Sequence, residues 1–77
     1  MRNETLLSRL RTSSSTHIVE KTEDGFNIIA QPEHTAEFSD LVREALNSGD
    51  DSFVILPSLL RGTETGDYER AHVIPFD

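Results

Sequence analysis

The chain has no cysteine, no tryptophan, a single tyrosine, and no apolar run long enough to cross a bilayer. Without cysteine there is neither a disulfide framework nor a thiolate metal site, which suits a reducing compartment. A spanning helix needs about 18 or more consecutive apolar residues. Here the densest apolar stretch, Phe53-Val54-Ile55-Leu56, is interrupted at once by Pro57. The opening MRNETLLSRLR has no apolar core and carries Glu4, Arg9 and Arg11, so no secretory signal is expected there. A cytoplasmic protein is the expectation that these absences leave.

Cations are also scarce. Seven Lys and Arg face fourteen Asp and Glu, a net charge of −7, and the imbalance is uneven along the chain. Residues 1–16 hold Arg2, Arg9 and Arg11 against Glu4, a net +2, which leaves −9 for the rest. An acidic body repels nucleic acid and anionic lipid at long range. The carboxylates are spread rather than clustered, so the charge reads as solubility before it reads as mimicry of a polyanion.

At 77 residues the chain makes one domain at most, near the lower limit for folding without disulfides or metals. Residues 1–15 read as a flexible N-terminal arm. Leu6, Leu7 and Leu10 form a narrow stripe on a segment too short to be helical alone, and Thr12-Ser13-Ser14-Ser15-Thr16 has linker composition. The alternative is an arm whose leucines dock on the body or on a second copy. Residues 16–77 read as a single small α+β domain.

Within that domain, THIVEKT and FNIIAQ are β-prone runs joined by Glu23-Asp24-Gly25. A type I turn with left-handed Gly25 and a bulge would set Phe26, Ile28 and Ala30 on one face with Thr22, Glu20 and Ile18. A tighter Asp24-Gly25 turn would put Val19 and Lys21 on that face instead. From Thr35 to Asn47 the residues Phe38, Leu41, Val42, Ala45 and Leu46 follow helical spacing. Thr35 suits the N-cap and Gly49 the left-handed stop. Phe53 to Leu56 fit a strand buried on both faces or nearly so, which at Pro57 either ends or lies at an edge. Tyr68, Arg70, His72, Ile74 and Phe76 then alternate with Glu69, Ala71, Val73 and Pro75. The pattern is ββαββ, and it predicts a four-stranded, largely antiparallel sheet with one amphipathic helix packed on one face.

Residues with chemical potential are sparse. His34 and Glu37 are three apart, His17 lies on a strand, and His72 follows Asp67 and Glu69; none makes a recognised metal spacing. Ser58 with His72 and Glu69 or Asp67 has neither a nucleophile-elbow motif nor glycines for an oxyanion hole. A small hydrolase or ligand-binding domain built on His72, Glu69 and Tyr68 is the weakest reading. Gly62 and Gly66 bracket Glu64, which would repel a phosphate. The chain is therefore read as a non-enzyme without metal or cofactor.

Protein contact remains. Leu59, Leu60 and Arg61 follow a strand-interrupting proline, and they are read either as a small contact patch or as the closing end of the core. Leu6, Leu7 and Leu10 are the second choice. The expected function is protein–protein contact, as an accessory subunit or a homodimer. The alternative is regulatory nucleic-acid contact through Arg2, Arg9 and Arg11, although no aromatic residue lies among them for base stacking.

Overall fold

The computed structural model describes residues 5–61 and 66–76. Arg2 and the stretch 62–65 of the expected polar connection lie outside the described residues. The elements are α1 (Leu6–Arg11), β1 (His17–Lys21), β2 (Phe26–Ala30), a 3-10 turn (Pro32–His34), α2 (Thr35–Asn47), β3 (Phe53–Leu59) and β4 (Tyr68–Pro75). The four strands form one sheet in the order β1-β2-β4-β3, with every neighbouring pair antiparallel. This is the α+β, ββαββ architecture expected from the periodicities, with both helices on the same face of the sheet.

Helix α2 supplies most of the covering layer. Phe38 and Val42 are fully buried, Leu41 and Ala45 nearly so, against Phe26 and Ile28 of β2, Phe53 and Ile55 of β3, and Ala71 and Val73 of β4. Leu46 departs from the expected stripe and is 44% exposed. It lies about 80° round the helix from Phe38 and in the last turn, at the margin of the contact. Thr35 does not cap the helix. The 3-10 turn, with Pro32 at its first position, feeds directly into α2 and leaves His34 at the cap position. Gly49, at φ 71°, takes the left-handed stop as its sequence position predicts.

The β1–β2 hairpin closes differently from the bulged form. The Thr22 amide donates to the Gly25 carbonyl at 3.0 Å, enclosing a two-residue Glu23-Asp24 loop. Lys21 then pairs with Phe26, Val19 with Ile28 and His17 with Ala30. Val19 and Lys21 therefore share the Phe26 face, as the tighter turn predicted, but in a register that neither turn proposed. Gly25 does not have a positive φ. It is glycine because a Cβ there would collide with the Val73 carbonyl oxygen of β4 and press on Pro75. The residue admits close passage of one strand past the next rather than a left-handed turn.

The segment read as an arm contributes to the core. Thr5 caps α1 by accepting from the Ser8 amide at 3.0 Å. Leu10 is fully buried, and Leu6 and Leu7 pack against the same cluster. Arg9 reaches Glu44 of α2 at 3.0 Å. The docked alternative is the arrangement found for residues 5–11, because burying Leu10 offsets the poor intrinsic stability of a six-residue helix.

Leu10→Ala and Leu41→Ala should each lower the free energy of unfolding by about 2–5 kcal/mol in urea melts. Leu46→Ala should stay within about 0.5 kcal/mol of the parent. A neutral Leu10→Ala would mean that α1 is not packed in solution.

Candidate functional site

Side chains alternate across a strand, so burying one face of the sheet presents the other. Both helices lie on the Phe26 face, and the opposite face has no covering layer among the described residues. The pairing arranges its residues in three rows. Ile18, Ile29, Arg70 and Ser58 run across the four strands in the first row, and Glu20, Asn27, His72 and Leu56 in the second. The third row holds Ile74 beside Val54. Ile18 is 48% exposed, between buried His17 and half-buried Val19, while Val54 is 37% and Leu56 53% exposed, beside buried Phe53 and Ile55.

The run of four apolar residues at Phe53–Leu56 predicts a strand buried on both faces or nearly so. Only Phe53 and Ile55 are buried, because among the described residues helix covers one side alone. Pro57 does not end β3. The strand continues to Leu59, and Pro57 is tolerated because β3 lies at the sheet edge.

The middle of the open face is held by polar contacts. His72 lies between Asn27 and Asp24, with Nδ1 2.7 Å from Asn27 Oδ1 and Nε2 3.1 Å from Asp24 Oδ1. This ties the β1–β2 turn to β4. Asp24 is held below the ordinary carboxylate pKa, chiefly because the Thr22 hydroxyl donates to it at 3.0 Å, with His72 adding to the effect.

The two sheet edges are poor templates for a further strand. Along β1, the Val19 amide donates to the Ser13 hydroxyl at 3.0 Å, and the His17 carbonyl accepts from the Ser14 amide at 2.9 Å. The serine run that read as a linker thus satisfies edge groups of β1. On β3, Pro57 offers no N–H.

Leu59, Leu60 and Arg61 sit at the end of β3. Leu59 is 58% exposed and Arg61 is exposed, whereas Leu60 is half-buried and its amide donates to the Asp67 carbonyl at 2.8 Å. Leu60 lines a groove of about 450 Å³ together with Ile29, Pro32 and Arg70. Ile29 and Arg70 also belong to the first row of the open face, so the groove and the face are continuous. Leu6, Leu7 and Leu10, the second-choice contact residues, are partly or fully buried against the body instead. Reading the sequence alone missed Ile18, Ile29, Val54, Leu56 and Ile74 as a surface. The available signal was the single amphipathic helix, which is enough to cover one face of a four-stranded sheet.

The arm arginines that lie within the described residues are engaged with the body. Arg9 pairs with Glu44, and Arg11 stands over the Phe26 ring at 5.8 Å. Ser58 and His72 are not brought together: Asn27 and Asp24 take both ring nitrogens of His72 on the side of β4 away from β3. Arg43 stacks 5.7 Å over Tyr68, and the Tyr68 amide donates to the buried Ser39 hydroxyl at 2.8 Å, so the start of β4 is bound to α2. His34 pairs with Glu37 at 2.7 Å on the surface. Among the described residues no group of three or more His, Cys, Asp or Glu is placed to hold a metal ion, and no helix is long and apolar enough to cross a membrane.

Among the described residues His17 is the buried titratable one. Its Nε2 lies 3.1 Å from the Leu10 carbonyl, which only accepts, so Nε2 carries the proton. Nδ1 is buried without a partner. Burial lowers the pKa of His17 below its ordinary value, opposed by the bond to Leu10. The unfolded chain therefore binds the proton more tightly than the fold does, and stability falls as pH drops below about 6.5. The loss levels off below the folded pKa. Urea melts across this range should show the slope in the parent and a shallower one in His17→Gln.

No protein-family model matches the chain, and no curated protein and no solved structure is significantly similar to it.

Proposed function

We propose that the protein works by protein–protein contact through the open face of its sheet, flanked by Leu59, Leu60 and Arg61. The observation that carries this reading is the exposed aliphatic set Ile18, Val54 and Leu56, on the face of the sheet opposite the core. Exposed aliphatic surface of this kind marks contact sites on small proteins. The groove beside Leu60 extends the same surface toward the first-choice contact residues. A cytoplasmic accessory or self-associating module fits this reading, and the lack of cysteine is compatible with that setting. Nucleic-acid contact through the arm has less support, since Arg9 and Arg11 are both occupied by the body.

A photo-crosslinking residue placed at Leu56, with a control at the exposed Glu37 of α2, tests the reading in cells of the native host. Adducts to a protein chain are expected from position 56 and not from position 37. Equal yields at the two positions, or none at 56, would overturn it.

A further inference from the structure

We infer that the occupant of the open face is a second copy of this chain, packed face to face about a two-fold axis lying diagonally across the sheet. The inference rests on the contact reading above and names its partner.

The apolar side chains are not spread evenly over the face. Ile18 and Ile29 fill one corner, on β1 and β2. Leu56, Val54 and Ile74 fill the opposite corner, on β3 and β4. Between them runs a polar diagonal with Glu20 at one end and Arg70 at the other. Neither Glu20 nor Arg70 has an ion pair or side-chain hydrogen bond among the described residues. The face thus carries one unpaired charge of each sign, on either side of its apolar diagonal.

Closed homodimers are isologous, so the same patch must meet itself across the axis. Four orientations of an in-plane axis can be compared on a grid with strands about 4.8 Å apart and about 6.8 Å per two residues. An axis along the strands sets Glu20 over the partner's Leu56 and Ile29 over the partner's Arg70. An axis across the strands sets Glu20 against the partner's Glu20. An axis along the polar diagonal sets Glu20 against the partner's Glu20 and Arg70 against the partner's Arg70. Only the axis joining the two apolar corners matches like with like. It packs each apolar corner on its counterpart, carries Glu20 onto the partner's Arg70 twice by symmetry, and brings the two His72 rings together at the axis. The strands of the two sheets then cross at roughly 90°, which is one of the two ways that sheets stack.

Both edges also favour this route over extension of the sheet. The serines beside β1 satisfy two of its outward groups, the Val19 amide and the His17 carbonyl, and Pro57 interrupts the edge of β3. The face offers about ten residues, fewer than the roughly 20–30 of a standard interface, so the dimer is a weak one.

Sedimentation equilibrium of the full chain from about 10 μM to about 1 mM tests the proposal over the range expected for such an interface. A monomer–dimer equilibrium is expected. Glu20→Arg and Arg70→Glu should each weaken it by on the order of tenfold or more, because each sets like charges against one another at two places. The double variant E20R/R70E should regain self-association. Mixing the two single variants should give a heterodimer, in which both pairs are again of opposite sign. Both sites are exposed, and amide NMR spectra report whether each variant remains folded. A strict monomer up to the highest concentration would overturn the second copy. A dimer indifferent to both single variants would overturn the diagonal geometry. Crosslinks from position 56 to a different protein, with a strict monomer, overturn this proposal while the contact reading stands.

Discussion

A four-stranded sheet has two faces, and among the described residues there is helix for only one. That constraint organises everything else. Helix α2 and the single buried leucine of α1 converge on the Phe26 face, where Phe38, Val42, Ile28 and Val73 are excluded from water. Each buried aliphatic or aromatic side chain contributes about 1.5–3 kcal/mol before chain entropy is counted. In so small a domain the two sums lie close together. Recruiting residues 5–11 into the core is therefore not incidental. Leu10, the Arg9–Glu44 pair and the His17–Leu10 bond attach a segment that would be disordered by itself to the rim of the sheet.

The same constraint accounts for the placement of polar groups. The covered face takes its few polar atoms with partners, as in Ser39 beneath the Tyr68 amide, and His17 retains one buried nitrogen without a partner. The open face instead carries a polar diagonal between two apolar corners, braced at its centre by Asp24, His72 and Asn27. A uniformly polar outer face would serve solubility alone. Ile18, Leu56 and Val54 are left in water, which is the basis of the proposed contact surface. The acidic body is compatible with that reading, since a net charge of −7 favours solubility while two aliphatic corners stay exposed.

Much of the fold was legible because the periodicities are strong. The Phe38–Ala45 spacing admits only a helix, and alternation over Tyr68–Pro75 fits a strand with one buried side. Element boundaries and faces were less legible. Leu46 obeys the same spacing as Leu41 and is exposed, because burial depends on what lies beneath the last turn and not on the stripe alone. The hairpin register was misread for a similar reason. Gly25 looked like a left-handed turn residue, whereas its real constraint is the backbone of β4, some fifty residues along the chain. Of the surface proposed here for contact, Leu59, Leu60 and Arg61 could be singled out from Pro57 alone, while the five aliphatics of the open face could not.

Local chemistry by itself determined the helix, the strands, their order along the chain, the left-handed stop at Gly49, and the absence of cysteine chemistry. Each depends on neighbours a few residues away, through hydrogen-bond geometry and side-chain period. Only the tertiary structure decided that β4 inserts between β2 and β3, that the Ala71 set rather than the His72 set is covered, and that the serine run lies along β1. Those outcomes follow from which surfaces meet at long range. One covering layer on a two-sided sheet must bury one alternation and expose the other, and the sequence of a strand carries both.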